Sequence, residues 1–304
     1  MSLESYVTGL MKEPSPKGMD RLVLSGLSQL EKMYFSQVEK KRTADMAAAV
    51  SAHVPVISVG NITAGVTGWS PCILLLSVLF FSIGQKPAII SRGYKSGLEK
   101  EGGCVSDGRS ILVSQQMAGD EPYMMARKLP SVPIFVGKDR IASVKRAEEM
   151  GVGILLLDDG FQYWKLRRDQ DIILIDATNP FGYGHGLPRG LLREPLDALS
   201  RASLFILTKS DQVHLTDLME IREELARLAP GVPVLSSTHA PSKVVPYEKW
   251  KAFLHEGTLK DVRMKKAYLV SGIGNPAAFK KTAKEAGLRP VGEMPFPDHH
   301  RYTE

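Results

Sequence analysis

The chain has 304 residues, with 39 Lys plus Arg against 33 Asp plus Glu, a net charge of +6. That excess is small and scattered, so nucleic acid is not expected as a partner. A hydrophobic share of 43% with 24% charged residues excludes wholesale disorder and collagen-like repeats. Cys72 and Cys104, the two cysteines, cannot form a disulfide framework or a cysteine-based zinc site. No apolar run reaches the roughly 18–20 residues of a spanning helix. The start, MSLESYVTGLMKEPSPKG, lacks the basic head and apolar core of a secretory signal. The chain is expected on the cytoplasmic side, with membrane-surface binding still allowed.

Residues 1–18 are polar and contain prolines, which predicts a loose arm. From Met19 to about Ala52 the pattern turns helical, with Leu24, Leu27, Leu30, Met33 and Tyr34 at three-to-four spacing. A basic run follows, Lys40, Lys41 and Arg42. Two readings stay open for this helix: packing on the domain, or lying at a membrane interface with its basic end near anionic headgroups.

Beyond it the chain alternates. Strands are expected at 54–59, 87–91, 133–136, 153–157, 171–176, 204–208 and 232–236, and helices at 70–83, 121–129, 138–150 and 217–228. Short β-rich runs separated by longer helices indicate βαβ units and a mostly parallel sheet. Runs such as ILLL and IILI are apolar throughout, as expected of strands covered on both faces. The fold class is α/β, doubly wound. The expected organisation is an arm and helix over 1–52, a core over 53–240, and over 241–304 a linker and partial C-terminal α/β lobe. In that lobe a strand at 267–271, a helix at 277–286 and a strand at 289–294 precede the end at Glu304.

The strand VPVISV runs into GNITAGVTGWSP and an apolar helix. Strand, glycine-bearing loop and helix together aim backbone N–H groups and a helix N-terminus at phosphate. In the pattern G-x-x-x-x-G-K-[ST] the lysine reaches the β/γ-phosphates and the hydroxyl reaches Mg²⁺. Here Gly68 and Ser70 fit, but Thr63 replaces the first glycine and Trp69 replaces the lysine. The loop alone fits a ligand-free turn as well as a phosphate site.

Taken in order, VPVISVGNITAGVTGWSP, IISRGY, GDEP, VGKDR, LLLDDGFQ, GLPRGLLREPLDAL, LTKSD, SGIGNPAAF and FPDHHRY resemble the tetraacyldisaccharide 4'-kinase family of lipid A biosynthesis. The resemblance covers residues 54–302 and implies a P-loop NTPase-like core. The family loop reads GGTGKTP where this chain has GVTGWSP, so Val66 and Trp69 depart from it. The family also continues beyond FPDHH, so an incomplete C-terminal lobe is expected.

The resemblance implies transfer of the γ-phosphoryl group of ATP, with Mg²⁺, to the 4'-hydroxyl of tetraacyldisaccharide 1-phosphate on the cytoplasmic face of the inner membrane, the enzyme being peripheral. It implies Asp120 as catalytic base, with His299 (or His300) as its partner. Asn61, Thr63, Gly65, Thr67, Gly68, Trp69, Ser70 and Gln162 would face the nucleotide. Ser70, Glu121 and Asp159 would serve the metal, with Asp158 the alternative to Asp159. Arg92, Tyr94, Arg140, Arg189, Arg193 and Glu194 would bind the phosphorylated substrate. LTKSD is similar to a GTPase base-reading motif through Lys209 and Asp211. Exchanging the loop lysine for a neutral indole removes a contact worth on the order of 3 kcal/mol. The competing expectation is therefore a non-catalytic homologue that binds nucleotide or lipid without turnover.

Overall fold

The structure, a computed structural model, describes residues 3–12, 17–65, 68–238, 240–252, 254, 256–273 and 276–296. Tertiary contacts divide the chain into two units, Met1–Ser237 and Thr238–Glu304.

The first unit opens with helix α1 (Leu3–Lys12), where the sequence reading expected a loose arm. Val7, Leu10 and Met11 recur at helical spacing among the polar residues, Leu10 is buried, and the Tyr6 hydroxyl donates to Asp20 at 2.5 Å. Helix α2 (Met19–Ala47) ends five residues earlier than expected. Its apolar residues also do not share one face. Leu24 is buried, whereas Leu30 and Met33 join Met19 and Leu22 on an exposed side. Two of the three basic residues of the run are paired in place, Lys41 with Asp45 and Arg42 with Glu39.

Next come β1 (Val56–Gly60), α3 (Trp69–Ser82), β2 (Pro87–Ser91) and β3 (Gly103–Asp107). They are followed by α4 (Gln115–Ala118), α5 (Asp120–Lys128), β4 (Pro133–Val136), α6 (Arg140–Glu149) and β5 (Ile154–Asp158). The unit closes with β6 (Gln170–Asp176), β7 (Leu204–Thr208), α7 (Leu215–Leu228) and β8 (Val234–Ser236). Among the described residues eight strands form one sheet, ordered β3-β4-β2-β5-β1-β6-β7-β8. All neighbours run parallel except the edge pair β3–β4. Sequence reading missed β3, a glycine-flanked edge strand whose register is broken by a bulge.

Alternate residues of each strand feed opposite layers. Val59, Ile89, Ile134, Leu156 and Leu174 pack under α3 and α5, around Ile73 and Met125. On the other face Ala88, Ile90, Phe135, Leu155 and Leu157 pack against Val144 and Ala147 of α6. Ile173, Ile175, Phe205 and Leu207 pack against Ile221 and Leu225 of α7. Helices on both faces of a mostly parallel sheet make the fold doubly wound, and its ligands belong at the carboxyl ends of the strands.

The second unit contains α8 (Tyr247–Lys251), β9 (Lys266–Ser271), α9 (Pro276–Glu285) and β10 (Arg289–Pro295), with β10 parallel to β9.

Candidate active site

Asp158 and Asp159, the start of α3 and Ser91 lie where parallel strands of the first unit end. Leaving β1, the chain needs Gly60, because a Cβ there would sit 2.9 Å from both the backbone N and the Cβ of Phe161. That close approach brings the loop after β1 against the loop after β5. Gly68 then takes φ 92°, a left-handed conformation suited to glycine, and α3 starts at Trp69. The backbone N–H groups of this first turn are free of intrahelical partners by geometry.

Two groups of polar side chains meet along this edge. In the first, the Ser70 hydroxyl donates to Glu121 Oε1 at 2.9 Å, and the Ser91 hydroxyl donates to Asp158 Oδ2 at 2.8 Å. Asp158, the last residue of β5, is 3% exposed. Burial pushes its carboxyl up to about 7, the Ser91 hydrogen bond opposing and the Glu121 charge adding to the rise. Its second oxygen, Oδ1, is buried with no hydrogen-bond partner.

The second group centres on Asp159, which takes φ 46°, a conformation Asp adopts more readily than most residues. Its carboxylate pairs with Arg193, at 2.6 Å to Nη1 and 3.2 Å to Nη2. Arg193 Nη1 also donates to Asn61 Oδ1 at 3.1 Å, and Asn61 Nδ2 donates to the Thr63 carbonyl at 2.8 Å. Gln162 Nε2 donates to the Asn61 carbonyl and to Glu194 Oε1, both at 3.0 Å. Fully buried Glu194 accepts from Arg201 Nη2 on both oxygens at 2.9 Å. Arg140, also buried, donates from Nη1 to the Asp159 carbonyl at 3.0 Å and stacks on Tyr163. Burial lowers its pKa from the usual arginine value.

Successive strand residues face opposite ways, and the two aspartates divide accordingly. Asp158 faces Ser91 and the field of Glu121, while Asp159 is engaged by Arg193. The acid beside the Ser70–Glu121 pair is thus Asp158, although sequence reading favoured Asp159 for a metal. Among the described residues no three His, Cys, Asp or Glu side chains are arranged to hold a metal by themselves. Mg²⁺ does not need such a cage, because one or two carboxylates plus phosphate oxygens and water suffice. The hydroxyl of Ser70, the carboxylate of Glu121 and the orphaned oxygen of Asp158 fit that requirement.

The remaining expected residues are placed as follows. Thr63 bridges to Leu192, and Gly65 offers its carbonyl to Asn61 at 3.4 Å. Trp69 is half-buried and packs against the apolar cluster that includes Val59 and Ile73. Asp120 begins α5 after Gly119 and accepts from Gln115 Nε2 at 2.8 Å. Arg92 pairs with Glu99 at 2.8 Å, and with Lys95 it flanks the exposed ring of Tyr94. Arg189 Nη1 donates to Ser28 of α2 at 2.8 Å. Lys209 pairs with Asp176. Thr67, His299 and His300 lie outside the described residues. Sequence reading missed Ser91, Arg201 and Tyr34, whose hydroxyl donates to the Arg193 carbonyl at 3.0 Å. No local pattern marks them, because each acts through a partner distant in the chain or embedded in an ordinary polar run.

Comparison with known proteins agrees with this geometry. Residues 21–304 match the family described as Tetraacyldisaccharide-1-P 4'-kinase. A tetraacyldisaccharide 4'-kinase of Halothermothrix orenii is 37% identical over 99% of this chain and 80% of its own length. One from Desulfatibacillum aliphaticivorans is 41% identical over 82% of this chain, which spans 66% of that relative. Among solved structures, LpxK of Aquifex aeolicus in complex with ATP is 29% identical, with a TM-score of 0.69 over 91% of this chain and 83% of that one. The chain belongs to the tetraacyldisaccharide-1-P 4'-kinase family.

Proposed function

We propose that this protein transfers the γ-phosphoryl group of ATP to the 4'-hydroxyl of tetraacyldisaccharide 1-phosphate at a membrane surface. One observation carries the reading within this family. The start of α3, the Ser70–Glu121 pair and the buried, half-satisfied Asp158 converge on one sheet edge.

Phosphoryl transfer asks mainly for positioning and charge stabilisation. The first turn of α3 offers N–H groups and the positive end of the helix dipole to the nucleotide phosphates. Ser70, Glu121 and Asp158 would hold Mg²⁺, which when bound screens the phosphate charge. Asp120 accepts the proton of the sugar hydroxyl as its oxygen bonds to the γ-phosphorus and the bond to the ADP leaving oxygen breaks. His299 is the proposed partner of that base. With Trp69 packed against the apolar core, Arg193 is a cation lying against the phosphate loop. Arg92, Tyr94 and Arg189 are assigned to the substrate side, whereas Arg140, buried between the Asp159 carbonyl and Tyr163, supports the loop after β5 instead.

An acceptor with four acyl chains sits in a bilayer. Met19, Leu22, Leu30 and Met33 of α2 are each at least half exposed. They fall within an arc of about 80° at about 100° per residue. Such a stripe supports attachment in the plane of the inner leaflet rather than across it, and no described helix is long and apolar enough to cross a membrane. The test is transfer of labelled phosphate from ATP to the disaccharide 1-phosphate in detergent micelles with Mg²⁺, for the native chain and for Trp69→Lys. Native turnover is expected. Absence of transfer by both refutes the proposal.

A further inference from the structure

Helix α2 meets the candidate active site through a face other than its exposed stripe. Glu31 Oε1 accepts from the Gly186 backbone N–H at 2.6 Å and lies 3.4 Å from His185 Nδ1. Ser28 Oγ accepts from Arg189, and the Tyr34 hydroxyl donates to the Arg193 carbonyl. Phe35 lies so close to Gly186 that a Cβ there would overlap its ring. Residues 28, 31, 34 and 35 follow helical spacing, so one face of α2 holds segment 185–193 along its length.

That segment is in turn zipped to the phosphate loop. The Ala64 N–H donates to the Leu191 carbonyl at 2.7 Å, the Arg193 N–H donates to the Ile62 carbonyl at 2.8 Å, and Thr63 bridges to Leu192. Arg193 is therefore fixed at three points. Its N–H is held by the phosphate loop, its carbonyl by Tyr34, and its guanidinium by Asp159 and Asn61.

We propose that Glu31 and Tyr34 are positioning residues for the transfer reaction. They brace segment 185–193 from α2, setting Arg193 against the phosphate loop. The exposed helix and the catalytic edge are then mechanically one piece, and displacement of α2 loosens Arg193 at the phosphate loop. The kinetic consequences rest on the kinase reading; the brace itself does not.

The test compares Glu31→Ala, Tyr34→Phe and Glu31→Gln, which keeps an acceptor oxygen, in the full chain. Glu39→Ala, removing a pair with Arg42 on the same helix, is the control. Amide exchange followed by mass spectrometry reads the brace directly. Glu31→Ala should speed exchange in 185–193 roughly tenfold, the scale of one lost hydrogen bond to a charged group, and leave 154–158 unchanged. Kinetics read its use. Glu31→Ala and Tyr34→Phe should lower kcat for phosphate transfer roughly three- to tenfold through the loosened Arg193, with Glu31→Gln restoring most of the loss and Glu39→Ala leaving kcat unchanged. If neither the native chain nor a variant transfers phosphate, a local rise in exchange upholds the brace while the kinase reading falls. Unchanged exchange in Glu31→Ala overturns the proposal. So does an equal rise in 185–193 and 154–158, which marks general destabilisation.

Discussion

Arg201 and Glu194 offer a sharp test of how the polar network is held. Glu194 is 0% exposed, and both of its oxygens take a hydrogen from the same nitrogen, Arg201 Nη2, at 2.9 Å. Arg201 also stacks 4.3 Å above the ring of Phe161. Its Nε and Nη1 are buried without partners, so the arginine bears desolvation that its ion pair does not fully offset. Replacing Arg201 by Met leaves Glu194 as an uncompensated buried charge, a change that costs roughly 3–5 kcal/mol. The unpartnered nitrogens place the value at the lower end, about 3 kcal/mol. For a unit of this size that corresponds to a fall in melting temperature of roughly 6–12 °C.

Urea and thermal unfolding followed by tryptophan fluorescence measure this. Arg201→Lys should cost less, because one nitrogen already makes both contacts and only the stacking is lost. The double variant Glu194→Leu, Arg201→Met should recover at least half of the loss, since a buried pair exchanged for apolar side chains is often neutral. A fall under about 2 °C for Arg201→Met, or a double variant worse than both singles, would refute the reasoning.

Three further outcomes follow from other parts of the site. Asp120→Ala should abolish phosphate transfer while leaving ATP affinity nearly unchanged by calorimetry, because its carboxylate serves the acceptor hydroxyl; unaltered turnover removes it as the base. Asp158 holds its proton to about pH 7 when folded but releases it near 3.8 when unfolded. Across that window the unfolded chain binds fewer protons, so stability without divalent cation falls as pH rises. Asp158→Asn should remove the fall and unfold later than the native chain at pH 8, and parallel pH profiles would contradict this. Exchanging Met19, Leu22, Leu30 and Met33 for Gln should cut sedimentation with anionic vesicles and move stability by no more than about 0.5 kcal/mol per substitution, since all four are exposed; undiminished sedimentation excludes the stripe as the attachment face.

The sheet was legible in the sequence because its strands are covered on both faces. ILLL and IILI announce themselves as unbroken apolar runs, and their alternate residues do feed opposite layers. The edge strand β3 carries no such run, only GCVSD with a register shift inside it. Helix α2 shows why periodicity cannot by itself assign a face. Leu24 and Leu30 look equivalent in the sequence, yet one is buried and the other belongs to the exposed stripe. The strand-end position of Asp158 and Asp159 was legible, and so was the Ser70 hydroxyl. The division of labour between the aspartates was not, because it depends on Ser91, which lies 67 residues from Asp158, and on Arg193, which lies 34 from Asp159.

Trp69 raises the question of where the missing positive charge resides. A lysine at this position would leave the helix toward the phosphates. The half-buried indole instead packs against the apolar cluster under α3, at the start of a helix whose next turns read CILLLSVLFF. The loop keeps its shape without help from that side chain, through Asn61 to Thr63 and Gly65, Ala64 to Leu191, and the ladder to Arg193. Charge can then enter from outside the helix, and Arg193 already touches Asn61 while paired with Asp159. If Arg193 has assumed the lysine's duty, Arg193→Met should abolish transfer in the native background and much less so beside Trp69→Lys. The coupling between the two changes should approach the value of one charge-assisted contact, about 3 kcal/mol or a hundredfold in rate. Simple additivity would mean that the two positions serve different phosphates, leaving Arg193 to the acceptor alone.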